Sequence, residues 1–213
     1  MKTDITVILD RSGSMHSTAK DAIGGFNSFV DDQKKLDGEC VLTLIQFDHE
    51  YKISYEARPI QEVEHLNEST FVPRGNTALV DAMGRGISAL KARMTPIKKA
   101  YRPKCIVVII TDGGENASRE FKLADVNTMI STIREKGWCE FVFIGANQDA
   151  ISVAQSYGIS AGNSMTYGAN SIGTQAAFDS LSGNISLMRS GVADSFGFTQ
   201  ADYNAQLKAG VTQ

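Results

Sequence analysis

Three oxygen-bearing side chains at alternate positions follow the first apolar run of the chain. The run from Ile5 to Leu9 leads directly into the pentad D-R-S-G-S at residues 10–14, so that Asp10, Ser12 and Ser14 are spaced two residues apart. Mg²⁺ prefers near-octahedral oxygen ligands and keeps open positions for water or for the oxygen of a partner. One carboxylate and two hydroxyls supply about half of such a shell. The pentad therefore predicts part of a divalent-cation site.

Two further polar positions follow other segments that the sequence predicts to be regular. Thr77 follows R-G-N and directly precedes a predicted helix, and Asp112 lies in the motif I-T-D-G at the end of an apolar strand. A threonine hydroxyl and a second carboxylate are hard oxygen donors of the same kind as those in the pentad. Asp10, Ser12, Ser14, Thr77 and Asp112 are the candidate metal ligands.

In their order and context, these three segments resemble the metal-ion-dependent adhesion site of the von Willebrand factor A domain family. The resemblance covers about residues 1–190 and implies one bound Mg²⁺ or Mn²⁺. It also implies that Ser12 and Ser14 ligate the ion directly, that Thr77 joins them in a high-affinity arrangement, and that the two carboxylates act directly or through water. If the two carboxylates contact the ion mostly through bound water, they neutralise less of its positive charge. The ion then attracts an acidic side chain of a partner, which can complete the coordination shell.

The same residues have a simpler interpretation that the sequence leaves open. Asp and Ser side chains often stabilise turns by bonding to their own backbone. Ser14 could cap the helix that follows it, and Asp112 could brace a turn.

Strands alternate with helices along the chain, which predicts an α/β fold with three layers. Its mostly parallel central sheet carries one antiparallel edge strand and has helices on both faces, as in Rossmann-like folds. Predicted strands span residues 4–9, 40–47, 51–55, 104–111, 140–144 and 164–167, and predicted helices span 18–36, 78–94, 123–136, 149–157 and 171–188. Ligands in such sheets bind at the carboxyl ends of the strands, where the candidate ligands lie. We expect one von Willebrand factor A domain over 1–190 and a tail over 191–213, either packed or loose.

The charge, the apolar runs and the cysteines of the chain indicate which kinds of partner and which cellular compartment to expect. The net charge is −3, without a basic cluster, so we expect no binding to nucleic acid. The longest apolar run, Ile106 to Ile110, is far too short to cross a bilayer, and Met1 leads almost at once into the first strand, so we expect neither a membrane-spanning segment nor an export signal, and no membrane partner. The three cysteines have no metal-ligand spacing, which favours buried free thiols and a cytoplasmic location.

The expected function is metal-dependent binding of an acidic residue of another protein, by an intracellular adaptor or assembly subunit. The family resemblance suggests partners such as an AAA-type ATPase or another large assembly. We expect no enzymatic activity, because a haloacid dehalogenase would need an Asp in place of Ser12, and no phosphate-binding loop or general base is evident. A metal-assisted hydrolase and a scaffold with a purely structural metal site are the alternatives.

Residues that flank the three motifs are expected to contact the partner. They are Arg11, Met15 and His16, then Arg74 and Asn76, then residues 114–116, and finally residues 147–149 after the fifth strand. Arg11 and Arg74 could pair with an acidic ligand through a bidentate fork. The alternative for Arg11 is a solvent-exposed turn residue.

Overall fold

Six strands form one mixed sheet in the computed structural model, which describes residues 2–146 and 149–211. The strands are β1 (Thr3–Asp10), β2 (Cys40–Phe47), β3 (Tyr51–Pro59), β4 (Lys104–Thr111), β5 (Cys139–Ala146) and β6 (Ser164–Tyr167). Their order across the sheet is β3-β2-β1-β4-β5-β6. Every neighbouring pair is parallel except β2 and β3, which form the antiparallel edge. The predicted fold class is confirmed.

Within the described residues, six α-helices cover the two faces of this sheet. They are α1 (Ala19–Lys34), α2 (Leu79–Met94), α3 (Leu123–Glu135), α4 (Ala150–Ser156), α5 (Ser171–Arg189) and α6 (Gln200–Lys208). One apolar core lies between the sheet and α1 and α5, and a second lies between the sheet and α2, α3 and α4. Alternate residues of β1 supply the two cores, since Val7 faces the first and Ile8 the second. Strands buried on both faces explain the continuous apolar runs in the sequence.

Strand β3 differs most from its predicted length. The sequence predicts a strand over residues 51–55, whereas β3 continues to Pro59. An irregularity in its pairing with β2 lies near Ala57, which has a φ of 44°. A bulge of this kind lets an edge strand continue past a break in its register, and the alternating pattern does not reveal it.

The segment after α5 packs on the first face of the sheet over its described residues. Phe196 and Phe198 are buried in the same apolar core as α5. Helix α6 follows, with the Thr199 side chain accepting from the Asp202 backbone and the Asp202 side chain accepting from the Thr199 backbone. The domain boundary at residue 190 stays a prediction, and residues 212 and 213 lie outside the described range.

All three cysteines are buried and free, as predicted. Burial raises the pKa of the Cys40 thiol to about 11 and that of Cys105 to about 12, which keeps both protonated and unreactive at neutral pH. Among the helices that the described residues form, none is long and apolar enough to cross a membrane.

Candidate metal centre at the carboxyl edge of the sheet

Asp10 ends β1 and is the most deeply buried member of the candidate site. Its side chain has no exposed surface. Asp10 Oδ1 accepts the backbone N–H of Ser12 at 2.6 Å, and Oδ2 accepts the hydroxyl of Thr111 at 2.6 Å. Asp10 therefore braces its own loop, as the turn interpretation describes, and this bond does not decide between that interpretation and the metal site. Thr111 orients the carboxylate, a role that the sequence reasoning missed although Thr111 stands beside Asp112 in the T-D-G motif.

Ser12, Ser14 and Asp112 form a continuous chain of oxygens beside Asp10. The hydroxyl oxygens of Ser12 and Ser14 are 3.0 Å apart, and the Ser14 hydroxyl donates to Asp112 Oδ1 at 2.5 Å. Ser12 is buried, whereas Ser14 is exposed. The Ser14 side chain bonds to these oxygens and not to a helix N–H, so the helix-cap alternative for Ser14 is wrong.

Thr77 approaches the same point from the other side of Gly113. A Cβ atom placed on Gly113 would lie 3.3 Å from Ser14 Oγ and 3.4 Å from Thr77 Oγ1. The Thr77 backbone is held by Asn116, whose side-chain oxygen accepts the Thr77 N–H at 2.9 Å and whose own N–H donates to Thr77 O at 3.0 Å. All five candidate ligands therefore come together at the carboxyl edge of the sheet.

This geometry predicts that a methyl group at residue 113 interferes with metal binding. If the candidate ligands bind Mg²⁺, Gly113→Ala should weaken its affinity by about tenfold, because the added carbon would lie against two of the candidate hydroxyls. Gly114→Ala is the matched control, since no atom lies within 4 Å of a Cβ there. Calorimetric titration of both variants measures the effect, and equal affinities in the two would contradict it.

Burial disfavours negative charge on the two carboxylates of the cluster. It raises the pKa of Asp10 to about 6, against hydrogen bonds from Thr111 and Ser12 that lower it, and it also raises the pKa of Asp112. In the described residues no group of three or more His, Cys, Asp or Glu side chains is placed to hold a metal ion. A cation at this site would therefore depend on hydroxyl ligands in addition to the two carboxylates. Two buried carboxylates that would be stabilised by a nearby positive charge, together with three hydroxyls, fit the ligand preference of a hard divalent cation.

Arg11 differs from both interpretations that the sequence allowed. Its side chain is only 8% exposed, and Nε lies 3.1 Å from Oδ2 of Asp48, within ion-pair distance but not aligned for a hydrogen bond. Asp48 is fully buried in the turn between β2 and β3. Arg11 is therefore neither an exposed turn residue nor a free group for a partner, because it compensates a buried carboxylate.

Asp48 also binds Arg74 and so joins the two loops that carry candidate ligands. Arg74 Nε donates to Asp48 Oδ2 at 3.0 Å, and the other end of its guanidinium pairs with Glu50. Two backbone hydrogen bonds connect the same two loops. Gly13 N–H donates to Gly75 O at 3.0 Å, and Arg74 N–H donates to Arg11 O at 2.9 Å. The sequence assigned Asp48 only to a turn, because its pairing with two distant loops leaves no local signal.

The loop after Asp112 is fixed on the start of α2. Glu115 Oε2 accepts the Val80 N–H at 2.8 Å and the Ser118 hydroxyl at 2.7 Å, so it caps the helix from outside. Glu115 and Asn116 thus position Thr77, although the sequence suggested them as partner contacts. Met15 is buried as well, and residues 147 and 148 lie outside the described range.

Comparisons with known proteins identify the family and the fold of the chain. The family model described as von Willebrand factor type A domain matches residues 5–115, more than half of the chain. That range includes all five candidate ligands. No curated protein matches the chain in sequence.

Several solved structures share the fold at low sequence identity. A von Willebrand factor type A protein from Catenulispora acidiphila superposes with a TM-score of 0.59 at 12% identity, covering 86% of this chain and 42% of that one. Proximal thread matrix protein 1 from the mussel byssus gives 0.58 at 14% identity, covering 88% and 46%. A second structure of the mussel protein, described as having a zinc-occupied metal-ion-dependent adhesion site, gives 0.53 at 16% identity, covering 90% and 44%. The chain thus spans less than half the length of each of these three structures.

Proposed function

Since the chain belongs to the von Willebrand factor type A domain family, we propose that it is a metal-dependent protein-binding module. In this proposal Asp10, Ser12, Ser14, Thr77 and Asp112 hold one Mg²⁺ or Mn²⁺. The bound ion supplies an open coordination position for a carboxylate of another protein.

The observation that carries the proposal is the oxygen chain from Ser12 through Ser14 to Asp112. Its members are 3.0 Å and 2.5 Å apart, and the Thr77 hydroxyl faces the same glycine as Ser14. These hydroxyls and carboxylates come from three separate loops and converge on one point at the edge of the sheet. A hard cation explains it, because it prefers these donors.

Each residue has a distinct role in the proposed site. Asp10 is buried and has both oxygens engaged by Ser12 and Thr111, so it contributes negative charge from behind the hydroxyls. Ser14 is exposed and lies on the side from which a partner can approach. Thr77 is held in place by Asn116 and contributes a third neutral oxygen. A ligand set with neutral oxygens in front favours an anionic ligand in the remaining position.

A structure of the mussel protein that shares this fold is described as having a zinc-occupied metal-ion-dependent adhesion site, which supports the proposal of a divalent cation in this chain. Oxygen donors without a cysteine or histidine favour Mg²⁺ or Mn²⁺ over zinc in this chain. The choice of ion rests on this chemistry.

We propose binding without catalysis. The proposal assigns both carboxylates of the cluster to the metal site, where Asp10 already accepts from Ser12 and Thr111 and Asp112 accepts from Ser14, so it leaves no further carboxylate of the cluster as general base for a metal-assisted hydrolase. The buried free thiols support a reducing compartment such as the cytoplasm. An assembly partner such as an AAA-type ATPase, approached through one of its acidic residues, stays a prediction from the family.

Capture of a partner tests the proposal. Immobilised protein should retain its partner in Mg²⁺ and lose it in chelator, and Thr77→Ala should reduce capture by about tenfold or more because a ligand hydroxyl is lost. Thr77→Ser keeps the hydroxyl and should retain capture. Undiminished capture in chelator would contradict the proposal.

Circular dichroism of the same samples separates this function from a structural metal. The two apolar cores lie on the faces of the sheet and the site lies at its edge, so chelated protein should keep its α/β spectrum. A scaffold whose fold depends on a structural metal ion would instead unfold in chelator.

A further inference from the structure

A polar pocket of about 450 Å³ lies beside the loop that carries Thr77. Its polar lining consists of His49, Asn76, Asp81, Arg85, Arg119 and Glu120. Asn76 directly precedes Thr77, so the pocket begins within one residue, about 4 Å of backbone, of a candidate metal ligand. Its volume is in the lower part of the range of ligand pockets. A single side chain of a partner fits a space of this size.

The acidic groups of the pocket already have partners. Asp81 accepts the backbone N–H groups of Arg119, Glu120 and Phe121 at 2.8, 2.9 and 2.8 Å. Glu120 accepts Arg85 Nε at 2.6 Å. Asp81 is hydrogen-bonded by three backbone N–H groups, and Glu120 is paired with Arg85. Neither carboxylate therefore needs a positively charged group from a bound partner.

Two donors of the pocket have no such partner. The side chains of Arg119 and Asn76 are exposed, and neither makes a hydrogen bond or an ion pair with another residue in the described ranges 2–146 and 149–211. Once the Arg85–Glu120 pair is counted, Arg119 and Asp81 remain as opposite charges of the pocket, and Asp81 already accepts three backbone N–H groups, whereas the Arg119 guanidinium has no partner among the described residues. A guanidinium and an amide at one pocket are suited to a carboxylate.

The loop between the pocket and the candidate metal centre is held firmly. Gly75 has a φ of +65°, and a Cβ atom there would lie 2.1 Å from His49 Nδ1, so the imidazole packs directly on this peptide. Gly75 O in turn accepts from Gly13 in the first ligand loop. The distance between pocket and metal centre is thus set by packed backbone, as recognition of two groups on one ligand requires.

We propose that this pocket is a second anion subsite, in which Arg119 and Asn76 bind a second carboxylate of the same partner segment. The inference rests on the proposed function, because the first carboxylate binds at the metal centre. The partner is then a peptide segment with two acidic side chains a few residues apart. In an extended segment, residues two apart project to the same side about 7 Å from each other.

Short peptides test this subsite by NMR titration of ¹⁵N-labelled protein in Mg²⁺. The probes are blocked glycine peptides with two aspartates separated by one, two or three glycines, each paired with a version whose second aspartate is asparagine. The best diacidic peptide should bind at least about fivefold more tightly than its monoacidic partner, a gain typical of a partly exposed charge-assisted contact. Arg119→Gln should reduce this ratio to about one and leave Mg²⁺ affinity and the monoacidic peptide unchanged.

Lys91→Gln is the matched control, because it removes one exposed positive charge at the far end of α2. A ratio that survives Arg119→Gln, or that falls equally in Lys91→Gln, overturns the subsite. A ratio of one in the wild type overturns it too, while Mg²⁺-dependent binding of the monoacidic peptide leaves the proposed function standing. If neither peptide causes a Mg²⁺-dependent shift at about 10 mM, both the subsite and the proposed function are wrong.

Discussion

Asp48→Ala is expected to lower the free energy of unfolding by about 3–5 kcal/mol, because it leaves the buried Arg11 guanidinium without its counter-charge. Asp48 is fully buried, and its Oδ2 lies 3.1 Å from Arg11 Nε and 3.0 Å from Arg74 Nε. Removing it also frees the two loops that it joins. In a chain of this size the melting temperature should fall by roughly 10 °C. Denaturant unfolding followed by circular dichroism measures the change.

Asp31→Ala is the control for Asp48→Ala. The Asp31 side chain is 48% exposed and pairs with His65 at 2.8 Å, so its loss should cost at most about 1 kcal/mol. A double variant, Arg11→Met with Asp48→Leu, should recover part of the lost stability because no buried charge is left unpaired. Equal effects of Asp48→Ala and Asp31→Ala would show that the buried pair does not hold the loops together.

Asp10→Asn is expected to separate stability from metal binding. Burial raises the folded-state pKa of Asp10 to about 6, above its ordinary value in the unfolded chain. The folded state therefore binds more protons than the unfolded chain. The stabilisation that comes from protonated Asp10 is fully present at low pH and is lost as pH rises through about 6. Asparagine does not titrate, and its amide can still bond with Ser12 and Thr111. In chelator, the stability of Asp10→Asn relative to the wild type should therefore rise between pH 4 and pH 7 by up to roughly 3 kcal/mol.

Unfolding curves at both pH values in chelator measure this difference, and a relative stability that is constant or falls with pH would contradict it. Added Mg²⁺ should then stabilise the wild type at neutral pH and stabilise Asp10→Asn much less, because binding to the folded state raises stability in proportion to the logarithm of the affinity. The variant would be a folded protein without a working site.

Local pattern was sufficient to predict most of the fold. The bounds of β2, β4 and β6 agree with those predicted from apolar runs between turn signals. Of the predicted α1 stripe, Ala22, Phe26, Phe29 and Val30 are buried, whereas Ile23 is only partly buried. Continuous burial makes such strands visible in the sequence. Helix α6 was not predicted because its residues are mostly polar, and it is set by the cap at Thr199 and by contacts with residues far along the chain.

The candidate ligands were predictable for a similar reason. Asp10 and Asp112 each follow a buried strand, and parallel strands bring their carboxyl ends to one edge. The residues that hold the ligand loops were missed, since Asp48 and Glu115 act on groups more than 25 residues away in sequence. Arg11 shows the difficulty most clearly, because nothing local distinguishes an exposed arginine in a turn from one that neutralises a buried carboxylate.

Titration of divalent ions into chelator-treated protein tests the central claim most directly. Calorimetry near neutral pH should detect one Mg²⁺ or Mn²⁺ bound per chain in the wild type. Asp10→Asn and Ser14→Ala should each weaken that binding, the first by about 100-fold or more because a charge of the site is removed. If the wild type binds neither ion, or if Asp10→Asn binds as tightly as the wild type, the cluster at the carboxyl edge of the sheet is not a metal site.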